Sequence, residues 1–123
     1  MYINYNPNPY GARTNDCVIR ALAKATGKDW YEVYIDLFVK GLEMGDMLAS
    51  NAVWGSYLKD QGYRMESIPD TCPDCYTVKE FANDHSAGNY ILGTGSHAVA
   101  VIDGDYFDTW DSGDEIPIYY FRR

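Results

Sequence analysis

Apolar residues recur at three- and four-residue intervals through the first half of the chain, and they gather in short β-branched runs through the second. Val18, Ala21, Leu22 and Ala25 form one helical stripe. Thr14, Asn15 and Asp16 stand before it, and each can accept a hydrogen bond from the free amides of a helix start. Gly27 follows, a residue suited to the left-handed turn that closes a helix. A second helix is expected after Asp29, with Trp30, Val33, Tyr34, Leu37, Phe38 and Leu42 as its buried stripe and Gly41 and Gly45 marking its end. A third runs from Ser50 to Gln61, with Val53, Trp54, Tyr57 and Leu58 inward and Gly62 stopping it. Thr77 and Glu80 read as a capping box opening a short helix from Val78 to about His85.

Strand signals come mostly later. Tyr63 to Ile68, Asn89 to Gly93 and Ile116 to Arg122 each read as a strand. Ser96 to Ile102, Asp103-Gly104 and Tyr106 to Trp110 read as a hairpin, because Asp-Gly suits a two-residue turn whose central residues both need positive φ. That turn sets a register in which Val99 faces Asp108 and His97 faces Trp110. His97, Val99, Asp108 and Trp110 then share one face, with His97 and Asp108 as diagonal neighbours roughly 7–8 Å apart at the backbone. Trp110 would lie over the pair as a lid. A three-residue loop would bring Asp111 opposite His97 instead. Met1 to Thr14, rich in Asn and Pro, is expected to be a loop or short edge segment docked by Tyr2, Tyr5 and Tyr10.

Helices first and a mostly antiparallel sheet afterwards define an α+β chain, and its length suits one domain spanning residues 1–123. The net charge is −8, and no cluster of Lys or Arg occurs. This argues against a nucleic-acid surface and against anionic membranes, and it accommodates a basic or neutral partner more easily. No run approaches the ~20 apolar residues that span a bilayer. The first residues lack the basic and apolar regions of an export signal, so a reduced cytoplasmic setting is expected for the three cysteines.

Two places carry candidate chemistry. Cys17 falls in the first turn of the first helix, where free amides and the helix dipole favour a thiolate. Its alternative role is a small apolar residue of the core. A histidine oriented by a carboxylate, as His97 and Asp108 would be, is what a general base needs, and the same pair can also serve packing alone. Cys72-Pro73-Asp74-Cys75 reads as an incidental loop. A redox pair would want a thioredoxin-like βαβ setting, and a zinc site would need more ligands than His85 offers. The acidic segment from Asp111 to Glu115 lacks the spacing of a calcium loop.

Cys17, His97 and Asp108 come in the chain order of a thiol nucleophile, its base and the group that orients the base. On these residues the chain resembles the small papain-like cysteine peptidases. His97-Ala98-Val99-Ala100-Val101 is similar to their histidine strand, and Asp108-Thr109-Trp110 stands where their Asn-Ser-Trp element would. Asn15-Asp16-Cys17 resembles the Asp-Cys of the bacteriocin-processing bacterial peptidases of that fold. The stretch from Gly41 to Ala87 carries none of the resemblance. The resemblance implies N-terminal helices packed on a C-terminal sheet, with Cys17, His97 and Asp108 cleaving a peptide or amide bond. It implies no cofactor and no metal, and a peptide or protein as substrate, which the chain's acidity would favour as basic. One position departs from the pattern. The family's oxyanion-binding Gln, six residues before the cysteine, is Gly11 here. The Cys17 amide supplies one donor, and Asn15, Asn8 or an amide near Gly11 would supply the other. Losing one such donor costs ~10²–10³ in turnover. The competing expectation is therefore a non-catalytic binding or inhibitor protein of the phage accessory type on the same scaffold. A thiol-based acyltransferase or amidase is a third.

Overall fold

The computed structural model describes residues 1–123. It contains strands β1 (Tyr2–Asn4), β2 (Arg64–Ser67), β3 (Asn89–Gly93), β4 (Ala98–Ile102), β5 (Asp105–Asp108) and β6 (Tyr119–Arg122). Its helices are α1 (Cys17–Thr26), α2 (Trp30–Met44), α3 (Asn51–Asp60) and α4 (Val78–Asp84). The strands form one mixed sheet in the order β1-β5-β4-β3-β6-β2, antiparallel except where β1 joins β5. The chain is thus α+β. No helix is long and apolar enough to cross a membrane.

The Asp103-Gly104 turn forms as its residues dictate, with φ values of 49° and 85°. Ile102 pairs with Asp105 and Ala100 with Phe107, the register of a two-residue loop. The N-terminal segment supplies a real edge strand. Tyr2 pairs with Tyr106 and Asn4 with Asp108, and the terminal ammonium donates to the Gly104 carbonyl at 2.9 Å beside Asp105.

Alternation along the strands splits the core between the two sheet faces. Ile91, Ala98, Ala100 and Phe121 pack with Leu22, Val33, Leu37, Trp54 and Leu58 beneath α1, α2 and α3. Leu92, Val99, Val101 and Tyr106 pack with Val78 and Phe81 of α4 on the other face. The expected single face for His97, Val99, Asp108 and Trp110 therefore holds only in part. Val99 packs toward α4, whereas His97 and Asp108 lie at strand ends, where the ladder no longer holds their side chains, and turn toward α1.

Helix α2 corrects its expected stripe. Val33, Leu37 and Gly41 face inward, whereas Tyr34, Phe38 and Leu42 are exposed to solvent. The helix carries apolar residues around most of its circumference, so periodicity alone could not choose the buried side. It also runs through Gly41 to Met44. Gly41 is a glycine because the loop that follows folds back onto it: a Cβ there would lie 2.7 Å from the Asp46 carbonyl oxygen. In a free helix Gly→Ala gains about 1 kcal/mol. Here Gly41→Ala is expected to destabilise the protein by about 1–3 kcal/mol through overpacking, read by urea denaturation. A stabilised variant would show that the loop yields without cost.

The Cys72 and Cys75 sulfurs are joined in a disulfide, so a bond closes what the sequence reads as an incidental loop. His85 does not approach it as a ligand. Its ring stacks on Phe81 at 3.7 Å and its Nδ1 meets the Phe81 carbonyl at 2.7 Å.

Candidate active site

The N-terminus of α1 reaches the sheet at the end where β4 begins and β5 stops, and this brings Cys17, His97 and Asp108 together. His97 Nε2 meets Asp108 Oδ2 at 2.6 Å. Cys17 and His97 line one cavity, and the sulfur lies close enough to His97 and to the Ala98 amide for both to favour its thiolate. Trp110 lies over His97 with ring centroids 5.2 Å apart. It is 43% exposed, so it shields one side of the imidazole and leaves its own outer face wet.

Asp108 is almost fully buried and spends every lone-pair direction. Its Oδ2 accepts from His97 and from the Ser112 hydroxyl at 2.8 Å. Its Oδ1 accepts from the Thr109 amide at 2.8 Å and from Arg20 Nη2 at 3.0 Å. Arg20 in turn pairs with Asp16, and Asp16 Oδ2 accepts from Trp30 Nε1 at 2.9 Å. Arg20 and Asp16 are both buried. A chain of charge-assisted hydrogen bonds thus runs from Trp30 through Asp16, Arg20 and Asp108 to His97, with Cys17 beside its end. Each buried charge in it has a partner, the condition for such charges to be tolerated.

The ionisation of the three residues follows from these contacts. Burial pushes the Cys17 thiol up, but the His97 hydrogen bond, the Ala98 amide and the positive charges of His97 and Arg20 reverse this, and the thiol falls below its usual range. Burial pushes His97 down, and the hydrogen bonds to Asp108 and Cys17 with their charges overcome it, raising the imidazole to about 9. Burial likewise raises Asp108, and its bonds from His97, Ser112 and Thr109 carry it below the ordinary carboxylate range. Thiolate and imidazolium are therefore favoured together, with a carboxylate behind them.

The oxyanion side resolves among the residues named for it. Asp16 precedes α1 but its side chain makes no cap, because its oxygens are taken by Arg20 and Trp30. The amides of Cys17, Val18 and Ile19 consequently meet no protein acceptor. Asn8 is committed elsewhere: its Oδ1 accepts from the Tyr10 and Ala12 amides, and its Nδ2 donates to Asp16 Oδ2 at 3.5 Å. The Gly11 amide donates to the Asn8 carbonyl. Both donors thus already have acceptors within the chain. Asn15 is exposed and lines the cavity of about 130 Å³ beside Cys17, together with Val18, Asn51, Trp54 and His97. A second cavity, of about 320 Å³, shares Asn15, Val18 and Ala49 with the first and is lined by Ile19, Trp30, Tyr34 and Leu48.

Arg20, Asp16, Trp30 and Ser112 were not singled out from the sequence for this network. A signal for the first two was present: Arg20 interrupts the apolar run from Cys17 to Ala23 and stands four residues after Asp16. For Ser112 there was none. Comparison with protein families, with characterised proteins and with solved structures finds no match for this chain. What the fold and site define is an α+β domain with a cysteine beside a hydrogen-bonded histidine–aspartate pair where its first helix meets the end of its sheet.

Proposed function

We propose that the protein is a thiol-dependent hydrolase of the papain-like type that cleaves a peptide or amide bond, with Cys17 as nucleophile, His97 as acid and base, and Asp108 as the group that orients His97. The observation that carries this reading is the His97–Asp108 hydrogen bond with Cys17 beside it in one cavity, the thiol lowered and the imidazole raised to about 9. A histidine held only for packing has no need of a low-pKa thiol beside it. The cysteine at a helix start beside an antiparallel histidine strand supports the papain-like assignment.

In this reading the Cys17 thiolate attacks the acyl carbon, forming a C–S bond while the carbonyl electrons move to oxygen. The amides of Cys17 and Val18 and the Asn15 side chain face that oxygen. Collapse expels the amine, which takes its proton from the His97 imidazolium, and leaves a thioester. Water then loses a proton to His97 and attacks the thioester carbon. The acid leaves and the Cys17 thiolate and His97 imidazolium are restored. Asp108, held by Arg20 and Ser112, keeps the imidazole oriented throughout. The neighbouring cavity would take an apolar side chain of the substrate.

An activated ester tests the chemistry without knowledge of the substrate. With p-nitrophenyl acetate, one equivalent of nitrophenol should appear in a burst, with the acetyl group found on Cys17 by mass spectrometry. Cys17→Ala and His97→Ala should each abolish the burst. Its rate should fall as pH drops below the thiol value and fall again above about 9, where His97 loses its proton. Acylation no faster than that of a free thiol, unaffected by His97→Ala, would leave the non-catalytic binding reading in its place.

A further inference from the structure

Two cavities adjoin beside Cys17. The smaller, of about 130 Å³, is lined by Cys17 and His97. The larger, of about 320 Å³, is lined by neither, and it meets the first at Asn15, Val18 and Ala49, which line both. The chemistry of the site assigns a side of the substrate to each. The leaving amine takes its proton from His97, so it belongs in the smaller cavity. The acyl group lies on the other side of the reacting carbon. The space for it beyond Asn15 and Val18, which His97 does not line, is the larger cavity.

The walls of that cavity are apolar and fixed. Ile19 comes from α1, Trp30 and Tyr34 from α2, and Leu48 from the loop before α3. The Trp30 ring is held at two points. Its Nε1 donates to Asp16 at 2.9 Å, and its face stacks on Tyr34 with centroids 5.2 Å apart. An aromatic wall set in place before binding spares its occupant the cost of ordering it. One charged group, Asp16, lines the cavity. It is buried and already partnered, Oδ1 by Arg20 and Oδ2 by Trp30 and Asn8. A cationic group entering here would lose its hydration and meet a carboxylate that Arg20 has neutralised. The net charge of −8 therefore does not choose the occupant of this cavity; its walls do.

We propose, on the reading of Cys17 as the nucleophile, that this cavity is the acyl-side pocket, that it selects a bulky apolar group over a basic one, and that Trp30 and Tyr34 are its specificity-determining residues. Trp30 also stands at the outer end of the hydrogen-bond chain that reaches His97, so the pocket wall and the histidine–aspartate pair belong to one fixed frame.

Four p-nitrophenyl esters test this on the full chain: acetate, butyrate, hexanoate and 6-aminohexanoate. Each methylene buried in the pocket should raise kcat/KM about fourfold, so hexanoate should exceed acetate by on the order of 100-fold. The 6-aminohexanoate, the same chain ending in an ammonium, should lose most of that gain. Trp30→Ala and Tyr34→Ala should each lower the hexanoate-to-acetate ratio by at least about fivefold. The ratio compares two substrates on one folded site, so a smaller folded fraction cancels. Tyr34 is 39% exposed and supplies the second variant should Trp30→Ala fail to fold. An acetate burst with equal rates for all four esters overturns the pocket and leaves the thiol hydrolase standing. Equal gains from hexanoate and 6-aminohexanoate overturn the selection of apolar over basic groups. Ratios unchanged in both variants overturn the roles of Trp30 and Tyr34. No burst with any ester removes the hydrolase reading and the pocket with it.

Discussion

His97→Ala should slow the alkylation of Cys17 by iodoacetamide near pH 6 by at least about tenfold, the loss that accompanies one unit of thiol pKa. The assay is clean because Cys17 is the free thiol, Cys72 and Cys75 being joined to each other. In the native protein two effects compete at the sulfur. Burial favours the neutral thiol, and the hydrogen bond and charge of His97 favour the thiolate, with the second winning. Removing the imidazole leaves the burial and takes away its principal opponent, so the thiol rises and the reactive fraction falls. Asp108→Asn should fall between the wild type and His97→Ala, since it keeps the shape of the carboxylate and loses the charge that raises His97. Equal rates for wild type and His97→Ala would show that the ion pair does not form. The proton on His97 also enters stability. The imidazole titrates at 6.5 when unperturbed and at about 9 in the fold. Its stabilising contribution is therefore complete below 6.5 and is lost as pH rises through about 9. The lowered thiol acts in the other sense, contributing above its ordinary value and losing that contribution as pH falls through its folded one.

Arg20→Met should be the most damaging single replacement of a charged residue, costing about 3–5 kcal/mol near neutral pH. The guanidinium is the shared partner of two buried carboxylates, Asp16 and Asp108. Methionine fills much of the space but leaves both carboxylates facing each other without a cation. Protonation relieves that cost, so the destabilisation should shrink as pH falls through the carboxylate range. Lys40→Met provides the contrast, because its pair with the exposed Asp60 is screened by water and should contribute little. Urea denaturation at two pH values reads both. An Arg20→Met loss as small as that of Lys40→Met would mean that Asp16 and Asp108 find other partners. Since Arg20 holds Asp108, the variant should also speed no acylation of Cys17 and shift the alkaline limb of its pH profile.

Local chemistry made much of this protein legible in advance. The Asp103-Gly104 turn and the two runs beside it specify a register that sets His97 and Asp108 at one end of a hairpin, and their turn toward α1 there completes the pair. The caps at Asp29 and Thr77 and the stop at Gly27 form as their residues indicate. Cys17 opens its helix for the same reason, because the residues after it carry a helical stripe. These features depend on neighbours in the chain, whose spacing the sequence displays directly.

The rest depended on which surfaces meet. Helix α2 is apolar on both sides, and only its packing against α1 and α3 selected Val33 and Leu37 for the core while leaving Phe38 and Leu42 outside. Asp16 looked like a cap, and the burial of Arg20 diverted it to a different task, freeing the amides of α1. Asn8, Asn15 and Gly11 were equivalent candidates until folding gave the Asn8 side chain Asp16 and the Gly11 amide the Asn8 carbonyl as acceptors. By itself the sequence determined the helices, the hairpin and the histidine–aspartate pair, because hydrogen bonds between near neighbours decide these. Only the tertiary structure decided that Cys17 meets that pair and that Arg20 holds it, because contacts across about eighty residues of chain are set by how helix and sheet pack.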